Sequence, residues 1–400
     1  MSKKQRLGLF AVTAFVLLFV SQLLFRIQPS MAAPDSLKLP EGFKLQVFGT
    51  ARMPDGEQLP GARFMTFGPD GHLYVSTARH GKVLMLPDRD KDGLADEVVV
   101  VAENLRNPQG LAFVDGKLLV ANEDAVVRLE QKDADWPASG VTTLIPNLPA
   151  GGHSTKTLRL GPDGYLYLNV GSTCNVCLEQ DPNRATLHRY TRDGKPAGAL
   201  TTLGRHAQSP IWARGLRNSQ GFAWHPVSGE MFATNNGADN RSETRNGPVN
   251  DELPPEHLNL IEGGKHYGWP HCWGDQFTDP NFPGSAGFCA TTTPPAITFR
   301  AHSTPLGISF LDKANFPKQY QSDAVVALHG SWNRYQPYGY KLVRVRFENN
   351  RPVAVEDFVT GWQNGSEVWG RPVDVVVGPD GALYVSDDRT GAIYRITYAA

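Results

Sequence analysis

Past residue 35 the chain nowhere keeps apolar residues at a helical period over three turns, whereas short runs that alternate every second residue recur throughout. That pattern predicts strands and little helix. One phrase organises them: Phe67-Gly-Pro-Asp-Gly-His-Leu-Tyr-Val-Ser76 returns as Leu160-Gly-Pro-Asp-Gly-Tyr-Leu-Tyr-Leu-Asn169 and Val377-Gly-Pro-Asp-Gly-Ala-Leu-Tyr-Val-Ser386. Each reads as strand, tight turn, strand, because Pro presets φ at the first central position and Asp-Gly tolerates the positive φ that closes the turn. Looser copies begin at Gly110, Gly221 and Gly307, making six.

A third strand follows most copies, as at 81–86, 125–129, 341–347 and 391–397. Arg106-Asn-Pro-Gln-Gly110 is echoed by Arg217-Asn-Ser-Gln-Gly221, so equivalent positions of different repeats carry matching polar residues ahead of a strand. Six similar hairpins predict a single all-β domain over residues 38–400, a six-bladed β-propeller of four-stranded antiparallel blades, with irregular insertions at 134–152, 239–256 and 271–300. A β-sandwich is the structural alternative, but it does not require repetition. In a propeller the residues preceding each inner strand crowd around the channel mouth and build a concave polar site from distant parts of the chain.

Composition agrees with a folded domain. Gly 40 and Pro 30 among 400 residues are turn-rich without being disordered, and 40% hydrophobic residues suffice for a core. A net charge of −1 argues against nucleic acid as a partner and leaves a small molecule. Lys3, Lys4 and Arg6 precede an apolar run from Leu7 to Phe25, and Ser30-Met31-Ala32 offers a cleavage site. Residues 1–35 therefore read as a signal peptide or an uncleaved N-terminal membrane anchor, placing the protein outside the cytoplasm, in the periplasm or tethered to the membrane. Four cysteines in an exported chain make two disulfides the default, and proximity favours Cys174–Cys177 and Cys272–Cys289. Leu178 stands where c-type haem attachment needs His, and no βαβ context supports a redox-active pair.

The pre-strand positions supply Arg63, Arg106, Gln109, His153, Arg217, Asn218, Gln220, His302 to Pro305, and Arg371. Singly, each arginine reads as a partner for a blade-edge carboxylate. As a ring they form a receptor for an anionic ligand, since guanidinium forks match carboxylates. His153, in Gly151-Gly-His-Ser154, is a candidate general base toward a hydroxyl substrate. Asp88, Asp90, Asp92 and Asp96, with Gly93 at the sixth position, resemble a tight calcium loop, although Val99 replaces the Glu that would end an EF-hand. The alternative for that segment is a solvated turn. Backbone carbonyls of the stretch Asn235 to Asp239, leading to Asp251-Glu252, are a second candidate cation site.

His153 with Gly161-Pro-Asp-Gly-Tyr-Leu-Tyr, Gly215-Leu-Arg-Asn-Ser-Gln-Gly-Phe-Ala-Trp224, Asn236-Gly-Ala-Asp239, Asn259-Leu-Ile, Tyr267-Gly-Trp-Pro270, His329-Gly-Ser-Trp-Asn-Arg334 and Gly370-Arg-Pro372 together resemble the soluble pyrroloquinoline-quinone-dependent sugar dehydrogenases. The similarity is strongest to the branch containing L-sorbosone dehydrogenase and the fungal pyranose dehydrogenases, and it spans nearly the whole chain after residue 35. It implies His153 as the base that removes the substrate proton while hydride passes to the quinone C5. It also implies Arg217 and Asn218 beside the quinone oxygens, Arg334 and Arg371 on the cofactor carboxylates, and carbonyls of Gly237 and Ala238 on calcium. The better-known glucose dehydrogenases carry an acidic residue before the histidine and Gly-Pro at the calcium turn, where this chain has Gly152 and Gly237-Ala238.

The implied substrate is a sugar or sugar-derived aldehyde or alcohol, with a separate, unidentified electron acceptor. Two other functions suit the fold: a calcium-dependent lactonase or esterase, which needs a Glu/Asn/Asp metal cage at the channel centre, and a non-catalytic binding module with an apolar exposed face.

Overall fold

The computed structural model describes residues 35–53, 55–132, 135–200 and 208–399. The leader or anchor expected over 1–35 lies, but for its last residue, outside the described residues. Six four-stranded antiparallel sheets follow one another along the chain. Blade I comprises Ala62–Phe67, Leu73–Thr77, Lys82–Leu86 and Val99–Ala102, and blade II Leu111–Val114, Lys117–Ala121, Val126–Lys132 and Asp135–Ile145. Blade III comprises Leu158–Leu160, Leu166–Val170, Thr186–Tyr190 and Ile211–Arg214. Blade IV takes Phe222–Trp224, Met231–Asn235, Glu256–Ile261 and Ile297–Phe299, and blade V Pro305–Phe310, Ala324–Leu328, Lys341–Glu348 and Arg351–Val359. Blade VI draws three strands, Pro372–Val377, Leu383–Asp387 and Ala392–Tyr398, from the end of the chain and its fourth, Phe43–Thr50, from near the start. That pairing, Phe43 opposite Tyr398 through Thr50 opposite Ala392, closes the ring of blades.

The architecture is the expected propeller, and helix is scarce: among the described residues there is one four-residue α-helix, Ala286–Cys289, and none long and apolar enough to cross a membrane. The insertion expected over 134–152 is in part the outer strand of blade II. Its Pro137 and Gly140 make it read as irregular, yet an edge strand has a free side that tolerates both. Trp136 anchors it, donating its indole N–H to Tyr74 Oη of blade I at 3.0 Å. Over 239–255 the chain is irregular, as expected, and Glu256 already opens the third strand of blade IV. The segment 271–300 is more ordered, with a two-stranded ribbon (Cys272–Trp273 and Phe277–Thr278), the short helix and the last strand of blade IV.

The repeated phrase folds as its residues dictate. In its first copy Gly71 takes φ +79° and donates to Gly68 O, while Asp70 accepts the His72 N–H on Oδ1 and the Tyr74 hydroxyl on Oδ2 at 2.7 Å. Asp163–Tyr167 and Asp380–Tyr384 repeat that clasp. The tyrosine of Asp-Gly-x-Leu-Tyr is thus tied to its own turn as well as packed between blades.

Around the axis the inner strands approach closely enough to exclude side chains. A Cβ on Gly110 would lie 2.2 Å from Leu158 N, on Gly221 1.8 Å from Leu306 O, and on Gly307 2.3 Å from Asp374 Oδ1, each atom belonging to the next blade. Across the axis Arg159 of blade III reaches Asp374 of blade VI (3.2 Å) and Met65 O of blade I (3.3 Å), beside Phe64. This fully buried carboxylate and its arginine plug the channel and floor the site. Gly221→Ala should lower stability by about 1–3 kcal/mol through overpacking, measured by thermal or denaturant unfolding. An unchanged midpoint would show that the blades can separate at the axis.

Candidate functional site at the channel mouth

Two sets of positions meet above this floor: residues entering the inner strands and residues leaving the second strands. The lower layer is a hydrogen-bonded ring with a member from every blade. Arg63 donates to Gln109 Oε1 (3.0 and 3.3 Å), Gln220 Oε1 (3.2 Å) and Asp388 Oδ2 (2.8 Å). Gln109 Nε2 donates to Thr157 Oγ1 and Gln220 Oε1, and Gln220 Nε2 to Asn218 Oδ1. His329 Nε2 stands 3.0 Å from Asp388 Oδ1. Burial pushes the His329 imidazole down to about 4 despite that carboxylate, so at neutral pH it is an uncharged donor.

His153 and Arg217 form the upper layer. Gly152, at φ +60°, leaves a Cβ only 2.6 Å from Ser172 O and Thr173 O, and a Cβ on Gly171 would meet His153 Cβ at 2.6 Å. Here the residue before the histidine must be glycine for the two backbones to touch. Lys156 Nζ donates to Ser154 O, and Arg184 to Ala150 O and Gly151 O, bracing the loop. His153 Nδ1 lies 3.1 Å from Ser172 O and 2.9 Å from Ser172 Oγ. A carbonyl can only accept, so Nδ1 carries the proton and Nε2 keeps its lone pair. Burial, reinforced by the Arg217 charge, lowers the imidazole to about 4. It is neutral at physiological pH and its free nitrogen is an acceptor.

The buried Arg217 guanidinium donates to Asn175 O, Asn175 Oδ1 and Asp239 Oδ2 (3.1, 2.9 and 3.0 Å). Asp239 Oδ1 accepts from Asn333 Nδ2 at 3.0 Å. Arg371 donates to His329 O and Gly330 O, and among the described residues no carboxylate pairs with it or with Arg389. Arg389, Trp332, Tyr340 and Trp369 border a cavity of about 620 Å³.

One arginine sits elsewhere than the sequence pattern suggests. Arg106 is exposed and bound to Glu123 and Asp124, outside the ring. Arg334 borders the same cavity as Arg389; its side chain is buried, and Glu252 and the carbonyls of Asp251, Ala301 and Gln336 accept from it.

The cation candidates also separate. No described donor reaches the carbonyls of Gly237 or Ala238, and the buried Asn236 Oδ1 and Asn333 Oδ1 lack partners. Glu256, buried beside them, accepts the Gly237 N–H at 2.5 Å and is raised by burial to about 7. These oxygen donors fit a hard cation such as calcium. Asp88, Asp90 and Asp92 bring carboxylate oxygens within 4.8 Å of one another, whereas Asp96 accepts from Arg89 N instead. The grouped metal-ligand residues among the described ones are that trio and the disulfide-bonded Cys174–Cys177 with Glu179. Both expected disulfides are present.

Ser172, Asn175, Glu256, His329 and Asp388 did not stand out as site residues in the sequence. The missing signal was the register of the second strands: Ser172, Asn236, His329 and Asp388 all lie just past one.

Fold and site define a six-bladed propeller whose mouth offers a neutral, oriented histidine among arginines, arranged for an anionic organic ligand. Residues 48–399 match the family model described as TrAA12-like, and the chain belongs to that family, among the soluble pyrroloquinoline-quinone sugar dehydrogenases. An uncharacterized protein of Borreliella burgdorferi is 28% identical over 383 residues, covering 91% of each chain. The pyrroloquinoline quinone-dependent pyranose dehydrogenase of Coprinopsis cinerea is 26% identical over 90% of this chain; the match spans about half, 54%, of that relative. In fold, the calcium structure of the Trichoderma reesei AA12 carbohydrate-active enzyme is similar, with TM-score 0.76 and 22% identity over 93% of this chain and 99% of that one.

Asp388→Asn should destabilise the protein by about 3 kcal/mol, because it leaves Arg63 without its counter-charge. Urea unfolding measures this, and a loss below about 0.5 kcal/mol would show that the ring is solvated.

Proposed function

We propose that the protein oxidises a sugar, or a sugar-derived aldehyde or alcohol, in a reaction dependent on pyrroloquinoline quinone and calcium, with His153 as the general base. The observation that carries this is the pinned His153 Nδ1–H, which leaves Nε2 unprotonated beside a buried arginine. Its Nε2 takes the hydroxyl proton of the substrate, and the Arg217 guanidinium stabilises the negative charge that develops on that oxygen. Arg371, together with Arg217 and Asn218, would bind the tricarboxylate quinone, while carbonyls of Gly237 and Ala238, with Glu256 alongside, would hold calcium. When bound, the quinone would accept the hydride from the substrate carbon. Electrons then pass to an acceptor still to be identified. The two disulfides support an exported protein.

The test is a titration of metal-stripped protein with pyrroloquinoline quinone and calcium, followed by absorbance and by dye reduction with a panel of aldoses and aldehydes. Calcium-dependent uptake with dye reduction is expected, and no uptake rejects the reading. His153→Ala should cut turnover at least ~100-fold while the quinone still binds; unchanged turnover would remove His153 as base. Protonation disables the base, so activity falls on the acid side. In the stripped protein the imidazole should titrate near 4, and in the loaded enzyme the acid limb of kcat/KM should lie below 6.5. A titration at or above 6.5 in the stripped protein would mean a solvated imidazole. Arg371→Ala should weaken quinone retention before it slows turnover, and equal retention would take it out of the site.

The same proposal gives Asp88, Asp90 and Asp92 a structural calcium, supported by the buried and unpartnered Asp88 Oδ1. Calcium should raise the melting temperature of quinone-free protein, and Asp90→Asn with Asp92→Asn should abolish that rise. A rise that survives the double substitution would place the ion elsewhere.

A further inference from the structure

The turn closed by Cys174–Cys177 touches both halves of the catalytic layer. Asn175 makes five hydrogen bonds to three residues far away in sequence. Its carbonyl accepts from Arg217 Nε (3.1 Å) and Trp269 Nε1 (3.1 Å), its Oδ1 from Arg217 Nη2 (2.9 Å) and Asp239 N (2.7 Å), and its Nδ2 donates to Asp239 O (2.9 Å). One residue earlier, Cys174 O accepts the Ser172 hydroxyl at 2.7 Å. With its proton committed there, Ser172 Oγ can only accept from His153 Nδ1. The turn thereby fixes the tautomer of the base on one side and the arginine–aspartate pair on the other.

We propose that Asn175, held by the Cys174–Cys177 ring, is a positioning residue that sets Arg217 and Asp239 relative to His153. The inference rests on the reading of the site given above. A ring of four residues removes little chain entropy, so this disulfide does less for global stability than for local geometry. Its cysteines are half-exposed, whereas Cys272 and Cys289 are buried. Mild dithiothreitol should therefore reach the first pair selectively, two electrons and two protons from the dithiol giving two thiols.

The experiment compares Asn175→Ala, Asn175→Asp, the Cys174→Ser/Cys177→Ser double variant and mildly reduced wild type. Asn175→Ala should weaken calcium-dependent quinone binding at least ~10-fold and lower kcat more than it changes KM, with little loss of melting temperature. Asn175→Asp keeps the oxygen that accepts from Arg217 and Asp239 N–H, so it should recover part of the loss. The double variant and the reduced protein should fall between wild type and alanine. Quinone binding and kcat within twofold of wild type in both Asn175→Ala and the double variant would overturn the proposal. So would a loss confined to melting temperature.

A cofactor-independent readout separates this claim from the reading it rests on. In stripped protein the His153 imidazole, followed by NMR, should titrate closer to 6.5 in the alanine and double variants as the 172–175 turn admits water. If wild type takes up no quinone, the functional reading fails while this titration still decides the positioning role, and an unmoved titration counts against it.

Discussion

Arg63 is a nearly buried charge at the meeting point of six blades, and much of the structure follows from satisfying it. Its guanidinium reaches Gln109 of blade II, Gln220 of blade IV and Asp388 of blade VI, and through these Thr157, Asn218 and His329. Leaving such a cation unpaired in a low dielectric costs several kcal/mol, so the blades are bound to the one arrangement that supplies every partner. Hydrophobic packing between neighbouring sheets would tolerate small slips of one blade against the next. The polar ring does not, and it therefore converts a stack of similar sheets into a mouth of defined geometry.

Below that ring the charge balance is closed, and above it the balance is open. Arg159 meets Asp374 in the channel, and Arg63 meets Asp388. Higher up, Arg217 has Asp239, but Arg371 is held only by carbonyls, and the Arg389 side chain has no carboxylate partner among the described residues. Arg371 and Arg389 thus leave positive charge at the mouth that no described carboxylate neutralises, and around the half-buried Arg371 desolvation strengthens it. Arg106, exposed to water, is spent on Glu123 and Asp124 and adds little to that field.

The fold was legible because its instructions are local. Gly-Pro-Asp-Gly between alternating strands specifies a hairpin wherever it occurs, and six hairpins in series leave few architectures. The outer strand of blade II escaped notice because Trp136-Pro137 and Gly140 carry no alternating pattern; an edge position and one indole contact hold it instead. The site was legible only in half. Pre-strand residues such as His153, Arg217 and Arg371 could be aligned by repeat, yet Arg106 and Arg217 begin the same motif and end in opposite environments, exposed in one case and buried in the other. Repetition fixes where a backbone goes and leaves the partner open. Asn175 and Asp239 meet across 64 residues, and no local pattern announces such a pair.

The charge around His153 also governs how a bound ligand would change the basicity of its imidazole. Without ligand, burial and Arg217 hold the imidazole near 4, low enough to keep Nε2 free but too low for strong basicity. An anionic ligand seated among Arg217 and Arg371 offsets the positive field and adds negative charge nearby, so it favours the protonated imidazole and raises the basicity of Nε2. The Ser172 carbonyl keeps the tautomer constant meanwhile, because it accepts from Nδ1–H in either protonation state. The site therefore gains proton affinity as it fills. A cationic or neutral occupant would leave the His153 imidazole as weakly basic as burial and Arg217 make it in the empty site.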